Sequence, residues 1–493
     1  MTSAEQVPQT YEDVERLLAN DLRVKIAGAD VDGILRGKVL AKSKFLSTLK
    51  EGFGFCSIIF GWDMHDRTYT EDLDVSNPEN GFSDLLAKVD ISTYRRIPWE
   101  KNIPFFLVSF YNPATKEPLH ACPRGLLKTV VQKYHDLGLE PMCGAEFEFF
   151  NFKETPETLA AKDHVSPQPL TPGMFGYSLS RPTSNQGFFY DILDECNKFG
   201  VSIEGLHTET GPGVYEAALA YSAALKMADM ATLFKLAVKQ IGILRYKVMP
   251  TFMAKPNHNL PGCSGHLHFS LKHMDTGKNA FTKIVNDQTK PDPAQKFNEI
   301  LENEWEDTKN VSETMKYFIA GVLTGLPSIM PLLAPTVNSY KRLVESYWAP
   351  VNVSWGFENR IAAIRVIAPP TSSPSATRIE LRVPGADINP YLAIAATLAS
   401  GLYGIENQLQ IPVPPVSYAK NQKAEKSLSQ HEGNRLSKTL QEATLIMMKK
   451  DSIARKVLGD RFVDHFGKSR LHEWRLWETS VTNWEIKRYF ETV

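Results

Sequence analysis

Three short stretches alternate ionisable with apolar residues. In "GAEFEFF", Glu146 and Glu148 are interleaved with Phe147 and Phe149; in "GHLHFSL", His266, His268 and Ser270 with Leu267, Phe269 and Leu271. In "RIELRV", Arg378, Glu380 and Arg382 alternate with Ile379, Leu381 and Val383. A period of two sends one set to each face of a strand, so every apolar set can meet a core while the ionisable sets share a cavity or face solvent. A solvated sheet face is the plain reading of any one stretch. Taken together, the carboxylates would repel one another unless divalent cations neutralised them.

A fourth piece, "EGLHTETGPGVYE", brings Glu209 and Glu216 to either side of a Gly-Pro-Gly turn. With Glu146, Glu148, Glu380 and His266 they form an oxygen-dominated set with one nitrogen, which suits Mg²⁺ or Mn²⁺ better than zinc. A fifth piece, "YKRLVESYWAPVNVSWGFENR", sets Arg342 and Arg360 around Trp348 and Trp355. Alone, it reads more readily as a core segment with arginines at its solvated ends. Beside a magnesium site, the arginines are equipment for phosphoryl oxygens. The chain has no Walker A sequence, and its short Gly-rich pieces carry no signal alone.

The elements that must position these groups follow from pattern and punctuation. A short helix is expected over residues 10–20, then strand-like pieces with turns to about 115. "PRGLLKTVVQKYHDLG" reads as a helix opening at Pro123 and stopping at Gly138. Strands and long helices mix thereafter, and the polar, Pro-rich segments 153–173 and 416–436 read as exposed loops. The fold class is therefore α+β: an N-terminal extension over 1–19, a small β-rich unit over 20–115 and a large catalytic unit over 116–493. Lys and Arg number 55 against 56 Asp and Glu, which leaves no electrostatic footprint for nucleic acid. Five scattered cysteines without a CxxC pair argue against a disulfide framework or structural zinc and fit a reducing, cytoplasmic compartment. The polar, acidic N-terminus has no apolar leader, and no run approaches a membrane span of ~18 apolar residues.

"GAEFEFF", "IEGLHTETGPGVYE", "PGCSGHLHFSL", "TVNSYKRL", "NRIAAIRV" and "RIELRVPGADINPYLAIAATLASGLYGI" resemble, in order and spacing, the motifs of type I glutamine synthetase, from about residue 20 to about 485. The resemblance implies an N-terminal β-grasp domain, a catalytic domain on a curved antiparallel sheet flanked by helices, and active sites between neighbouring subunits of hexameric rings, often doubled to dodecamers. By motif position, Glu148, Glu209 and Glu216 resemble ligands of one Mg²⁺ or Mn²⁺, and Glu146, His266 and Glu380 those of a second beside the ATP γ-phosphate. Arg342 and Arg360 look like the arginines that hold the amino acid and the transferred phosphoryl group. Arg365, Arg378 and Arg382 look like further phosphate contacts, while Glu204, His268 and Ser270 match positions near the nucleotide. The implied reaction phosphorylates a γ-carboxylate with ATP, then lets an amine expel phosphate.

The sequence departs from the family where ammonium is gripped. Trp348 stands where a flap Glu is usual, and Cys56, in "GFCSI", stands for an Asp that the next subunit contributes. An indole and a thiol leave a larger, less charged pocket, suited to an amine with a carbon chain or ring. The pattern resembles the γ-glutamylpolyamine and γ-glutamyl-amide synthetase branch. The expected activity is an ATP-dependent ligase forming a γ-glutamyl amide from glutamate and an organic amine. The alternatives are a true glutamine synthetase and a non-catalytic assembly protein. Pro261-Gly262 replaces a usual Asn-Gly and Val214 a usual Gln, both beside the amino acid. Glu345, three residues before Trp348, is a candidate for the deprotonating base. "IENQLQIPVPP" lacks the family's adenylylation tyrosine.

Overall fold

A computed structural model of the chain describes residues 7–71, 73–283, 305–345, 348–417 and 434–493. Most of the expected loop 416–436 lies outside them. The expected first helix is Tyr11–Leu17, opened by Thr10, whose hydroxyl accepts from the Asp13 amide. The segment 153–173 is not wholly loop: Pro156–Ala161 is helical, capped by Thr155 with a proline in the first turn.

Five strands form the first sheet: β1 Arg23–Ala29, β2 Leu35–Ala41, β3 Phe53–Cys56, β4 Asp84–Ile97 and β5 Ile103–Tyr111, in the order β2-β1-β5-β4-β3. The pair β1–β5 is parallel and the remaining pairs are antiparallel. β5 is buried along nearly its whole length, as a central strand covered on both faces must be.

The second sheet carries the chemistry. Its strands are β6 Leu139–Phe152, β7 Ile203–Thr208, β8 Val214–Ala223, β9 Met249–Thr251, β10 Gly265–His273, β11 Trp355–Phe357, β12 Ile364–Ile367 and β13 Arg378–Leu381. The order is β11-β12-β13-β10-β6-β8-β7, with β9 pairing the end of β6, and all pairs except β11–β12 are antiparallel. One face is apolar: Phe147, Phe149, Leu267, Phe269, Ile379 and Leu381 are all buried. The ring of Phe234, on the helix Ala224–Ile241, lies 6.2 Å from that of Phe147 and 5.9 Å from that of Phe149. Burying each such side chain contributes roughly 1.5–3 kcal/mol, and a slip of one residue in any strand would drive carboxylates into this core.

Helices Glu313–Leu333 and Pro390–Glu406 complete the core. Contrary to the sequence expectation that no stretch approaches a membrane span, the first is long and apolar enough to cross one, the one such helix among the described residues, and 78% of that stretch is buried inside the protein, as in a core helix. Asn389, the cap of the helix Pro390–Glu406, ties that helix to the end of β1, its amide donating to the Asp30 and Val31 carbonyls at 3.0 and 3.2 Å.

Candidate active site

Strand register decides which polar groups meet. Glu146 of β6 lies opposite His266 of β10, and Glu148 opposite Glu216 of β8. Glu216 in turn faces His207 of β7. On the other side, His268 pairs with Glu380 of β13, and Glu380 with Arg365 of β12. Six strands thus deliver one row of acids, imidazoles and guanidiniums to the face opposite the phenylalanine core.

Apart from Glu380, which is buried behind Arg365 and Arg382, the row lines a cavity of about 810 Å³. Glu146, Glu148, Glu209, Glu216, His266, His268, Gly262, Arg342, Trp348, Arg360, Arg365, Arg378 and Arg382 all reach it. A neighbouring cavity of about 370 Å³ shares Glu146, His268 and Arg378 as its wall and adds Glu204 and Ser270. Two of the expected site residues stand elsewhere. Glu345 is absent from the cavity wall; its side chain is 70% exposed and accepts from Arg435 at 3.3 Å, so it is not placed to take a proton from a substrate there. Cys56 sits exposed on β3, its thiol 3.6 Å from the Phe82 carbonyl, away from the cavity of its own chain. Val214 is buried and does not line the cavity.

Two groups have the chemistry to hold cations. Ligand atoms of Glu146, His266 and Glu380 lie within 4.8 Å of one another, as do those of His207, Glu209 and Glu216. The first is the expected trio. The second contains His207 in place of Glu148, whose carboxylate instead accepts from the Ser264 amide at 2.8 Å and its hydroxyl at 2.5 Å. Glu148 still lies across the strand pair from Glu216, inside the same cavity. His207 was legible: it lies on β7 two residues before Glu209, which directly follows the strand's last residue, and that spacing puts both on one face of extended backbone. Tyr177, stacked on His207 with centroids 4.3 Å apart, comes from a loop and left no pattern to find.

The electrostatics fit a divalent ion. Glu216 is pushed up to about 9, first by burial and then by Glu148, Glu146, Glu209 and Glu380. Such crowding is unfavourable in the bare protein and is relieved by a cation with hard oxygen ligands. Glu146 goes the other way: burial opposes ionisation, but His266 and His268 outweigh it and hold the carboxyl well below its usual range. Arg378 donates to His268 Nδ1 at 3.2 Å, which leaves the proton on Nε2, 3.2 Å from Glu146 Oε1 but without a hydrogen bond to it.

The arginines divide into braced and free. Both Arg342 terminal nitrogens donate to carbonyls, of Val383 at 2.9 Å and Arg382 at 3.1 Å, which fixes the guanidinium against the cavity. Gly262 gives it room, since a Cβ there would stand 2.3 Å from the Ala254 carbonyl and 2.8 Å from Arg342 Cγ. Arg365 bridges Glu380, at 2.9 Å, and Glu358. Arg382 pairs with Glu380, yet its buried Nε–H has no partner among the described residues, a donor aimed at nothing the chain itself supplies. Arg360 makes no hydrogen bond or ion pair to another described residue.

Residues 120–489 match the family described as glutamine synthetase, catalytic domain. The chain is 44% identical over 98% of its length to "Type-1 glutamine synthetase 2" of Dictyostelium discoideum, covering 87% of that protein. It is 32% identical to a glutamate–isopropylamine ligase of a Pseudomonas species, over 95% of both chains. With a γ-glutamylethanolamide synthetase of Streptomyces coelicolor it shares 30% identity, over 98% of this chain and 96% of that one. In fold it is similar to a solved GmaS/ADP complex, with a TM-score of 0.76, 23% identity and coverage of 98% of this chain and all of the other. A sheet that gathers this row of acids and arginines, carried on a chain matching that catalytic domain over most of its length, makes the protein a member of the glutamine synthetase family of ATP-dependent ligases.

Proposed function

We propose that the protein joins the γ-carboxylate of glutamate to an organic amine, with ATP hydrolysed to ADP and phosphate. The observation that carries this reading is Trp348. It brings an indole to the wall of a cavity otherwise lined by charge, with Met174, Tyr177 and Ala349 as its apolar companions. An ammonium ion, small and fully charged, gains little from such a surface, whereas an amine with a carbon substituent gains burial and cation–π contact. Two relatives are named for the same kind of bond, to isopropylamine and to ethanolamine.

In this proposal Arg342 and Arg360 orient the amino acid, and ATP lies along the cavity that Glu204 and Ser270 line. Glu146, His266 and Glu380 would hold one Mg²⁺ or Mn²⁺, and Glu209 and Glu216, with Glu148 or His207, another. Bound there, the ions screen triphosphate and carboxylate from one another. The carboxylate oxygen attacks the γ-phosphorus and the bond to ADP breaks. Arg382, through its unpartnered Nε–H, and Arg360 meet the negative charge on the moving phosphoryl group. The amine, having lost its ammonium proton to solvent, attacks the acyl carbon through nitrogen; the C–O bond to phosphate breaks, and the departing phosphate carries away the second N–H proton. The active assembly is a homo-oligomeric ring in which a neighbour covers the Trp348 side of the cavity.

A panel of amines assayed with glutamate, ATP and Mg²⁺, read by ADP release, tests the proposal. Several organic amines should exceed ammonium in kcat/KM. The rival reading, a glutamine synthetase in the strict sense, is favoured by the name of the 44% identical relative, and it predicts ammonium at the head of the panel.

A further inference from the structure

Away from both cavities, three potential ligands converge where the small sheet's connections meet the C-terminal helix. Asp74 lies in the turn region between β3 and β4, His120 in the connection before the helix Pro123–His135, and His465 on the helix Asp460–Glu478. His120 Nε2 is 3.1 Å from Asp74 Oδ1, and one ring nitrogen of His465 completes a set whose ligand atoms all lie within 4.8 Å of one another.

His465 is the group that calls for explanation. It is 2% exposed, and neither of its ring nitrogens has a hydrogen-bond partner among the described residues. A buried imidazole with both nitrogens unmatched is costly, since it has left water for nothing. Its ring lies against those of Phe60 and His120, with centroids 6.4 and 6.1 Å away, so it is held in place beside the pair. We propose that Asp74, His120 and His465 form a binding site for a zinc-class transition ion that fastens the C-terminal helix to the N-terminal half of the chain.

The donor set supports that choice of ion. Two imidazoles and one carboxylate are a borderline-soft set, which suits Zn²⁺ and disfavours Mg²⁺. At zinc bond lengths of about 2.0–2.1 Å, ligand atoms stand about 3.4 Å apart, close to the His120–Asp74 spacing already present and a small side-chain movement from His465. Arg461 holds the other Asp74 oxygen from two nitrogens, at 2.8 and 3.0 Å, which keeps Oδ1 turned toward His120 and orients the carboxylate as an outer partner does in a metal site. The Asp74 side chain is 48% exposed, so an ion has a path in and a water can fill the fourth position.

The test uses the full-length protein in excess Mg²⁺, incubated with Zn²⁺, desalted and analysed for metal, with Co²⁺ absorption as a check on coordination. His120→Gln and His465→Ala should each retain about one zinc ion per chain fewer than the wild type, and zinc should raise the wild-type melting temperature but not theirs. His120 lies at the surface end of the cluster, so H120Q decides the matter if H465A fails to fold. Equal zinc retention by wild type and H120Q, or retention abolished by Mg²⁺, overturns the proposal.

Discussion

Trp348 is held in a left-handed backbone conformation, φ +61°, which costs a non-glycine residue of order 1–3 kcal/mol. Strain of this kind is retained where surrounding structure or function demands the geometry. The indole should therefore set which amine is used, and Trp348→Glu should exchange preferences. Activity with the best organic amine should fall at least about tenfold in kcat/KM while that with ammonium rises, compared by ADP release under identical glutamate and ATP. A parallel fall for both amines would mean that the indole shapes the loop and not the specificity. At this scale period-two alternation marked Glu146, Glu148, His266, His268 and Arg378, which share one cavity, whereas Arg342 on a helix and Arg360 in a loop reach the same cavity without any such pattern. The sequence misled at Glu345, where nearness to Trp348 says nothing of which way a loop side chain turns, and Arg435, ninety positions later, claims it.

Individual strands were legible from the same alternation, but their neighbours were not. Glu148 meets Glu216 only because β6 pairs β8, and Glu380 meets His268 only because β13 crosses to β10, contacts that span more than a hundred residues in the second case. Local pattern fixes a strand's two faces; burial of the phenylalanine face and turn geometry choose its partners. The resulting crowd of carboxylates makes a prediction about stability. Near pH 7 the metal-free protein holds Glu216 protonated, at the cost of a proton the unfolded chain does not bind, and Glu216→Gln removes that cost, so the metal-free variant should be more stable than metal-free wild type at pH 7, by roughly 1–2 kcal/mol. The same change removes a ligand, so the rise in melting temperature that Mg²⁺ gives the wild type should shrink or vanish. Thermal unfolding with and without EDTA measures both. A variant less stable than wild type in EDTA would mean that Glu216 is held by contacts and not opposed by its neighbours.

At the scale of the whole molecule, two features remain incomplete in a single chain. Trp348 is 72% exposed, a large apolar ring on the rim of the cavity, and Cys56 is exposed on β3, at the edge of the other sheet. An exposed indole beside a substrate cavity and an exposed edge strand are both surfaces that association covers. If a neighbour's β3 closes the Trp348 side of each cavity, every active site takes Arg342 from one subunit and Cys56 from the next. Arg342→Ala should then inactivate the site of its own chain, and Cys56→Trp, a bulky change at an exposed position, the site of its neighbour. Each variant alone should lose at least about tenfold in amine-dependent ADP release. Co-expressed, they form mixed rings in which some sites combine an intact Arg342 with an intact Cys56, and activity should exceed the sum of the two separate preparations. Activity that stays at that sum, in rings shown to be mixed by differential tagging, would place both residues in sites made by one chain.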